Sequence, residues 1–180
     1  MILITVGTEK FQFNRLMQWI DRLITQGFLD PQKEEIVIQA GACAFVPQGA
    51  QSHQVLPADQ FQTLFERARL IIAHCGEGTV DLLAGADKPF ILVPRSKKFD
   101  EHVDDHQVEL AESLARQNIP VAYTPGDLAR FLLAPWTANI SLSPKACYAQ
   151  ASRLLGGNIG QRRGSVSRPT APTTPVYSPS

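Results

Sequence analysis

The chain has 180 residues, 44% of them hydrophobic, and 17 Lys and Arg balance 17 Asp and Glu, so its formal charge is zero. At roughly 150 residues per domain that length holds one globular domain and a tail, and the charge balance argues against broad attraction to nucleic acid or an anionic membrane. Its longest apolar runs, such as Leu70 to Ala73 and Phe90 to Val93, fall far short of the roughly 20 residues that span a bilayer.

Ile2, Leu3, Ile4 and Val6 form a continuous apolar run, the pattern of a strand buried on both faces of a parallel sheet. No basic leader or small-residue cleavage site marks this segment as an export signal. Leu16, Ile20, Leu23 and Ile24 recur at helical spacing, and Gly27 stands where a helix ends. Ile36 to Ala40 is the next expected strand. Cys43 to His53 is expected as a loop leading into a short strand at Gln54 to Leu56. Asp59 is a candidate cap for a helix whose Phe61, Leu64, Phe65 and Ala68 share one face.

Leu70 to Ala73 is a strand by the same reasoning, followed by a helix over Thr79 to Gly85 entered through Gly76 and Gly78. Phe90 to Val93 is a strand closed by Pro94, and Asp104 to Asn118 a helix with Leu110, Ala111, Leu114 and Ala115 on one face. Val121 to Tyr123 is expected as a last strand, with short helices at Asp127 to Leu133 and Lys145 to Leu155. Strands alternating with helices indicate an α/β fold, a doubly wound and mainly parallel sheet with right-handed crossovers. Residues 1–155 form the expected domain. From Gly156 the composition turns to Gly, Ser, Thr, Pro and Arg, so residues 156–180 are expected to be a disordered tail. Cys43, Cys75 and Cys147 are odd in number and unpatterned, which fits free thiols in a reducing compartment and makes the cytosol the expected location. Trp19 and Trp136 suit core or interface positions, and His53 an ordinary loop.

In such sheets ligands bind beyond the carboxyl ends of the strands, which directs attention to four loops. Gly7 and Thr8 follow the first strand. His74-Cys75-Gly76-Glu77-Gly78-Thr79 joins a strand to a helix, and its glycines, hydroxyl and helix N-terminus are suited to a diphosphate; a tight turn that needs glycine for its own geometry is the competing explanation. A P-loop is excluded because no Lys precedes Thr79, and a dinucleotide fingerprint because Asp81 stands at its third glycine. Arg95, Lys97 and Lys98 place three cations at a strand end, either to meet phosphate or as a solvated loop. Glu101 to Gln107 packs two histidines, three carboxylates and an amide into seven positions, side chains able to bond sugar hydroxyls or simply to complement a helix dipole. His102 and His106, four apart, also admit a metal-dependent hydrolase, although Val103 replaces the Glu of the zinc motif.

Taken in order, Thr5 to Thr8, Ile72 to Thr79, Gly85 to Arg95 and Glu101 to Ala111 resemble the glycosyltransferase family 28 C-terminal domain over about Met1 to Tyr123. They are nearest its short stand-alone form, the PssE/EpsF-like exopolysaccharide subunits, and similar to the MurG C-terminal domain and the small subunit of the dolichol-pathway UDP-GlcNAc transferase. The resemblance implies a Rossmann-like domain, the C-terminal, donor-binding half of a GT-B glycosyltransferase. It implies that Gly7 and Thr8 lie near the diphosphate of a UDP-sugar, that Gly76, Gly78 and Thr79 cradle it, and that Asp105, His106 and Gln107 contact the sugar. Glu101 and His102 would line the same cleft, with His74, Glu77 and Arg95 as further candidates. His74 and His106 are candidate proton carriers, although His74 fits better as a support for the glycine loop, and the general base is expected on a partner. Where many relatives carry a ribose-holding Glu this chain has Leu82, leaving Asp81 or Glu77 to substitute.

A GT-B enzyme needs two such domains, so the resemblance implies a membrane-anchored, acceptor-binding partner of the PssD/EpsE-like kind, a polyprenyl-linked acceptor, and a place at the inner face of the membrane through that partner. No cofactor and no metal are expected. A non-catalytic subunit that binds nucleotide-sugar and activates its partner is the alternative.

Overall fold

In the computed structural model the described residues are 1–140 and Ala146. Five strands, β1 (Ile2–Thr5), β2 (Ile36–Gln39), β3 (Gln51–His53), β4 (Leu70–His74) and β5 (Phe90–Val93), form one sheet in the order β3-β2-β1-β4-β5. Every pairing is parallel; Ile4 at the centre lies between Ile38 and Ile72. The helices are α1 (Asn14–Thr25), α2 (Ala58–Arg67), α3 (Glu77–Ala84), α4 (His106–Ala115) and α5 (Pro125–Leu133). This is the doubly wound, Rossmann-like α/β architecture expected from the strand and helix pattern.

The two-residue period of the strands divides the interior into two cores. Ile2, Ile4, Val6, Ile38, Ile72 and Val93 face α1 and α5, burying Leu16, Met17, Ile20, Leu128 and Phe131. Leu3, Val37, Ile71, Ala73, Phe90 and Leu92 face the other way, against Phe65 of α2, Val80 and Leu83 of α3, and Leu110, Ala111 and Leu114 of α4. Helices on both faces explain why β1, β2, β4 and β5 are buried along their whole length. Trp19 packs partly buried against the first core, and Trp136 lies edge-on to Phe131.

Local signals set several ends. Gly27, at φ +77°, closes α1: its N–H bonds the Ile24 carbonyl and the Phe28 N–H that of Leu23, the double bond of a Schellman turn. Thr124 and Asp127 form a reciprocal capping box at the start of α5, with Pro125 in the first turn. Lys88 ends α2 from a distance, its ammonium donating to the carbonyls of Phe65, Glu66 and Ala68 at 2.7, 2.8 and 3.1 Å.

The structure departs from expectation at several boundaries. The third strand is Gln51–His53 rather than Gln54 to Leu56; its three residues are all exposed on the sheet edge, so no apolar alternation marks it. Pro57, not Asp59, occupies the cap of α2, and Asp59 sits in the first turn. Helix α3 starts two residues earlier than Thr79, and α4 starts at His106 and ends at Ala115, with Asn118 beyond it in the left-handed region at φ 60°. Val121 to Tyr123 is no strand: only Val121 bridges, to Leu92. Of the helix expected at Lys145 to Leu155 only Ala146 is among the described residues. Cys147 and the tail from Gly156 lie outside them. No helix of the described residues is long and apolar enough to cross a membrane.

Candidate functional site

From β1 the chain winds outward through β2 and β3, then returns to β4 on the other side of β1. The loops after β1 and β4 therefore leave in opposite directions, and such a switch point opens a crevice at the strand ends. Here it is a cleft of about 800 Å³. Ten of the candidate residues line it: Gly7 and Thr8 after β1; His74, Gly76, Glu77, Gly78 and Thr79 at β4 and α3; and His102, His106 and Gln107 at the start of α4. Their sequence positions span a hundred residues, and the strand register brings them together.

The glycines have different reasons for being glycine. A methyl group at Gly7 would sit 2.4 Å from His74 Nε2, and one at Gly76 would sit 2.4 Å from His74 Cε1. Gly7 also has φ +77°, a conformation side chains rarely tolerate. Both glycines thus enclose the His74 ring. A methyl at Gly78 would meet nothing within 4 Å, so no contact inside the protein demands glycine there.

His74 is buried, and its Nε2 lies 2.9 Å from Thr79 Oγ1. Burial, assisted by the charge of Arg95 and opposed by the Gln107 amide, pushes its pKa down to about 4. The ring is neutral at pH 7 and holds the Thr79 hydroxyl at the mouth of α3.

Three candidates lie off the cleft wall. Arg95 is fully buried and neither solvated nor open to a ligand: its guanidinium donates to the carbonyls of Val6 at 2.7 Å, Phe11 at 2.8 Å and Glu101 at 3.2 Å, and lies over the Phe13 ring. Glu101 is likewise buried, gripping Arg15 with both oxygens at 2.9 and 2.7 Å and accepting from the Ser96 N–H. Asp105 accepts from Ser96 Oγ and the Lys97 N–H. Each ties the β5–α4 loop in place. Lys97 and Lys98 stay exposed on a 3-10 turn.

His102 and His106 do not share a helix face, because α4 begins at His106. Both turn Nδ1 to Asp104 instead, at 2.8 and 2.7 Å. Among the described residues no group of three or more His, Cys, Asp or Glu is arranged to hold a metal ion.

Leu82 lines the cleft and Asp81 does not; of the two proposed substitutes only Glu77 lies on the wall. The remaining wall comes from Thr5, Glu9, Gln39, Leu56, Ala58, Phe61 and Gln62, none singled out from sequence. Gln39 carried the one available signal, an amide ending an apolar strand; it is buried, donates to Thr5 Oγ1 and accepts from the Leu56 N–H.

The glycosyltransferase family 28 C-terminal domain matches residues 1–149. A UDP-N-acetylglucosamine-N-acetylmuramyl-(pentapeptide) pyrophosphoryl-undecaprenol N-acetylglucosamine transferase of Burkholderia thailandensis is 31% identical over 135 residues, 69% of this chain and 36% of that protein. Its namesake in Burkholderia mallei is 35% identical over 97 residues, 54% of this chain and 25% of that protein. The chain thus spans about a third or less of the length of these relatives. Among solved structures, the glycotransferase of kitacinnamycin superposes with TM-score 0.48 at 14% identity, over 86% of this chain and 39% of the other. The glycosyltransferase SnogD from Streptomyces nogalater gives 0.47 at 17%, over 86% and 43%.

Proposed function

Because the chain belongs to the glycosyltransferase family 28 C-terminal domain family, we propose that it is the donor-binding half of a two-component GT-B hexosyltransferase that moves a sugar from a UDP-sugar to a lipid-linked acceptor. The single observation that carries this reading is Gly78, a glycine in the first turn of α3 that faces open space on the cleft wall. A diphosphate resting there would need close approach to backbone N–H groups, and a helix N-terminus favours its charge. The partner would be a membrane-anchored, PssD/EpsE-like subunit presenting a polyprenyl-linked acceptor at the inner face of the membrane.

The chemistry would be displacement of UDP from the anomeric carbon by an acceptor hydroxyl. As the bond to the leaving oxygen lengthens, charge grows on the diphosphate, and the N–H groups of Gly76 to Thr79 with the oriented Thr79 hydroxyl are preorganised to stabilise it. His74, neutral and enclosed, would hold that hydroxyl rather than carry the proton. The general base would come from the partner, and no step calls for a metal ion. The other reading, a non-catalytic nucleotide-sugar-binding subunit, is favoured by Leu82 on the wall where many relatives place a ribose-holding Glu.

Gly78→Leu tests the proposal. A Cβ at Gly78 meets nothing within 4 Å and leucine favours a helix over glycine, so thermal stability should not fall, while affinity for UDP-sugars should fall by at least about tenfold, roughly 1.4 kcal/mol. Gly76→Ala should behave oppositely and destabilise the protein through His74. Undiminished binding of UDP-sugars by folded Gly78→Leu would remove the basis for a diphosphate at this turn. Should Gly78→Leu lower transfer only to a basal level in the reconstituted pair, the activating-subunit reading gains.

A further inference from the structure

The wall of the cleft changes chemistry from one side to the other. At the start of α4 it is built from His102, His106 and Gln107, and between α2 and α3 from Leu56, Ala58, Phe61 and Leu82. Leu56 is buried, and Phe61 packs partly buried against the second core with its ring 6.2 Å from that of Phe65. Leu82 is 38% exposed. One surface leucine needs no explanation, but four apolar side chains meeting on a cleft wall form a shelf for a ligand.

Helical periodicity puts this shelf beside the glycine turn. Gly78 and Leu82 are four apart on α3, so they share a face, with Leu82 one turn, about 5.4 Å, further along the axis. Ala58 and Phe61, three apart, share a face of α2. A nucleotide-sugar whose diphosphate rests at Gly78 carries a hexose on one side and a nucleoside on the other. The hydrogen-bonding side chains at α4 suit the hexose, which leaves the shelf to the nucleoside, and the pentose is its first ring beyond the diphosphate.

We propose that Leu82 sets the pentose specificity of the donor site: the pentose lies on the apolar shelf, and the cleft takes 2′-deoxyribonucleoside diphosphate sugars as readily as ribonucleoside ones. This rests on the donor-binding reading and names the class of nucleoside it admits.

None of the four shelf side chains carries a hydrogen-bonding atom, and the polar groups beside them are turned to protein partners. Thr5 Oγ1 accepts from the Gly7 N–H at 3.2 Å and from Gln39 Nε2 at 3.3 Å, and Gln39 Oε1 accepts from the Leu56 N–H at 3.3 Å. Gln62 reaches along α2, its Nε2 donating to Glu66 Oε1 at 2.8 Å. Glu77 also lines the cleft, but it stands about 140° round α3 from Leu82. A site that bonds a substrate hydroxyl rejects the analogue without it, because the acceptor is then left unpaired, whereas an apolar wall discriminates weakly. With Leu82 part exposed, a ribose hydroxyl keeps its water and a deoxyribose methylene gains contact, so neither sugar is turned away.

Calorimetry of the full chain with UDP and with 2′-deoxy-UDP tests the proposal, since the two probes differ by one oxygen. Their dissociation constants should agree within about threefold. Leu82→Gln puts a neutral acceptor on the shelf and Leu82→Glu a carboxylate, at a position exposed enough for both variants to fold. The preference for UDP over 2′-deoxy-UDP should then rise by about threefold or more in Leu82→Gln and by about tenfold or more in Leu82→Glu. The ratio of the two affinities is the quantity read, because repulsion between a new carboxylate and the diphosphate weakens both probes alike. A preference for UDP beyond about threefold in the parent overturns the proposal and leaves the donor reading intact. A ratio that rises in neither variant does the same, because Leu82 then does not face the pentose. Absence of any binding of UDP and 2′-deoxy-UDP by the parent overturns both.

Discussion

The imidazole of His74 accounts for two of the three glycines around it. Gly7 and Gly76 close over its ring at distances that leave no space for a methyl group, so contact with His74 demands glycine at both; a methyl at Gly78 would meet nothing within 4 Å. The enclosure has a thermodynamic consequence. The His74 pKa of about 4 in the folded protein lies below the ordinary 6.5, so between these values the unfolded chain binds a proton that the folded one does not. Folding stability is therefore fully present above about pH 6.5 and falls as pH drops toward 4, by about 3 kcal/mol at about 1.4 kcal/mol per pH unit. Denaturant unfolding of the parent and His74→Asn should show this: the loss between about pH 7 and about pH 4.5 should be smaller in the variant by most of that amount. Equal losses in both would show that burial does not hold this ring neutral.

At the scale of elements, much of the chain's order comes from side chains that reach across sequence to finish a neighbour. Lys88, between α3 and β5, supplies the donors for three carbonyls at the end of α2, with its aliphatic stem half-buried and its ammonium near the Phe65 ring. A cation at a helix C-terminus is favourable in itself, and bonds from a charged donor exceed neutral ones. Lys88→Met, which keeps the stem and removes the donors, should destabilise the protein by about 1–3 kcal/mol and raise amide exchange in the last turn of α2. If exchange there is unchanged, the cap is dispensable. Arg15 and Arg95 do the same for the loops that bound the cleft: Arg15 ties α1 to the loop after β5, and Arg95 ties that loop to the end of β1.

For the whole molecule, the described residues form one Rossmann-like sheet with its helices, and on the donor-half proposal a second such domain, carried by the partner, completes the bisubstrate GT-B site. Holding the second substrate in line is worth many orders of magnitude in effective concentration. On that proposal the isolated chain should bind UDP-sugar but transfer it to a lipid-linked acceptor at least about 10³-fold more slowly than when co-expressed with the proposed membrane partner. Transfer by the pair should survive EDTA, since preorganised amides rather than a divalent ion would meet the leaving diphosphate. Full-rate transfer by the purified chain alone would contradict the division of labour, and loss in EDTA restored by one divalent ion would contradict the metal-free chemistry.

Apolar runs and helical spacing in the sequence by themselves determined the alternation of strands and helices, hence the doubly wound sheet, and the ordered motifs pointed to the loops after β1 and β4. These are local properties, written within a few residues of each position. Edge strand β3 escaped because its polar Gln51, Ser52 and His53 pair through backbone alone, and the start of α4 because acids and histidines before it look helical without being so. Only the tertiary structure decided which polar residues face the cleft. Arg95, Glu101 and Asp105 looked like ligand-binding groups by type and place, yet folding turned them to carbonyls and donors of the surrounding loops, off the cleft wall; Gln39, Leu56 and Phe61, from β2, the loop before α2 and α2 itself, became wall. A side chain's chemistry is set by its residue type, but whether its polar atoms remain available for a ligand depends on neighbours that the chain brings near only when it folds.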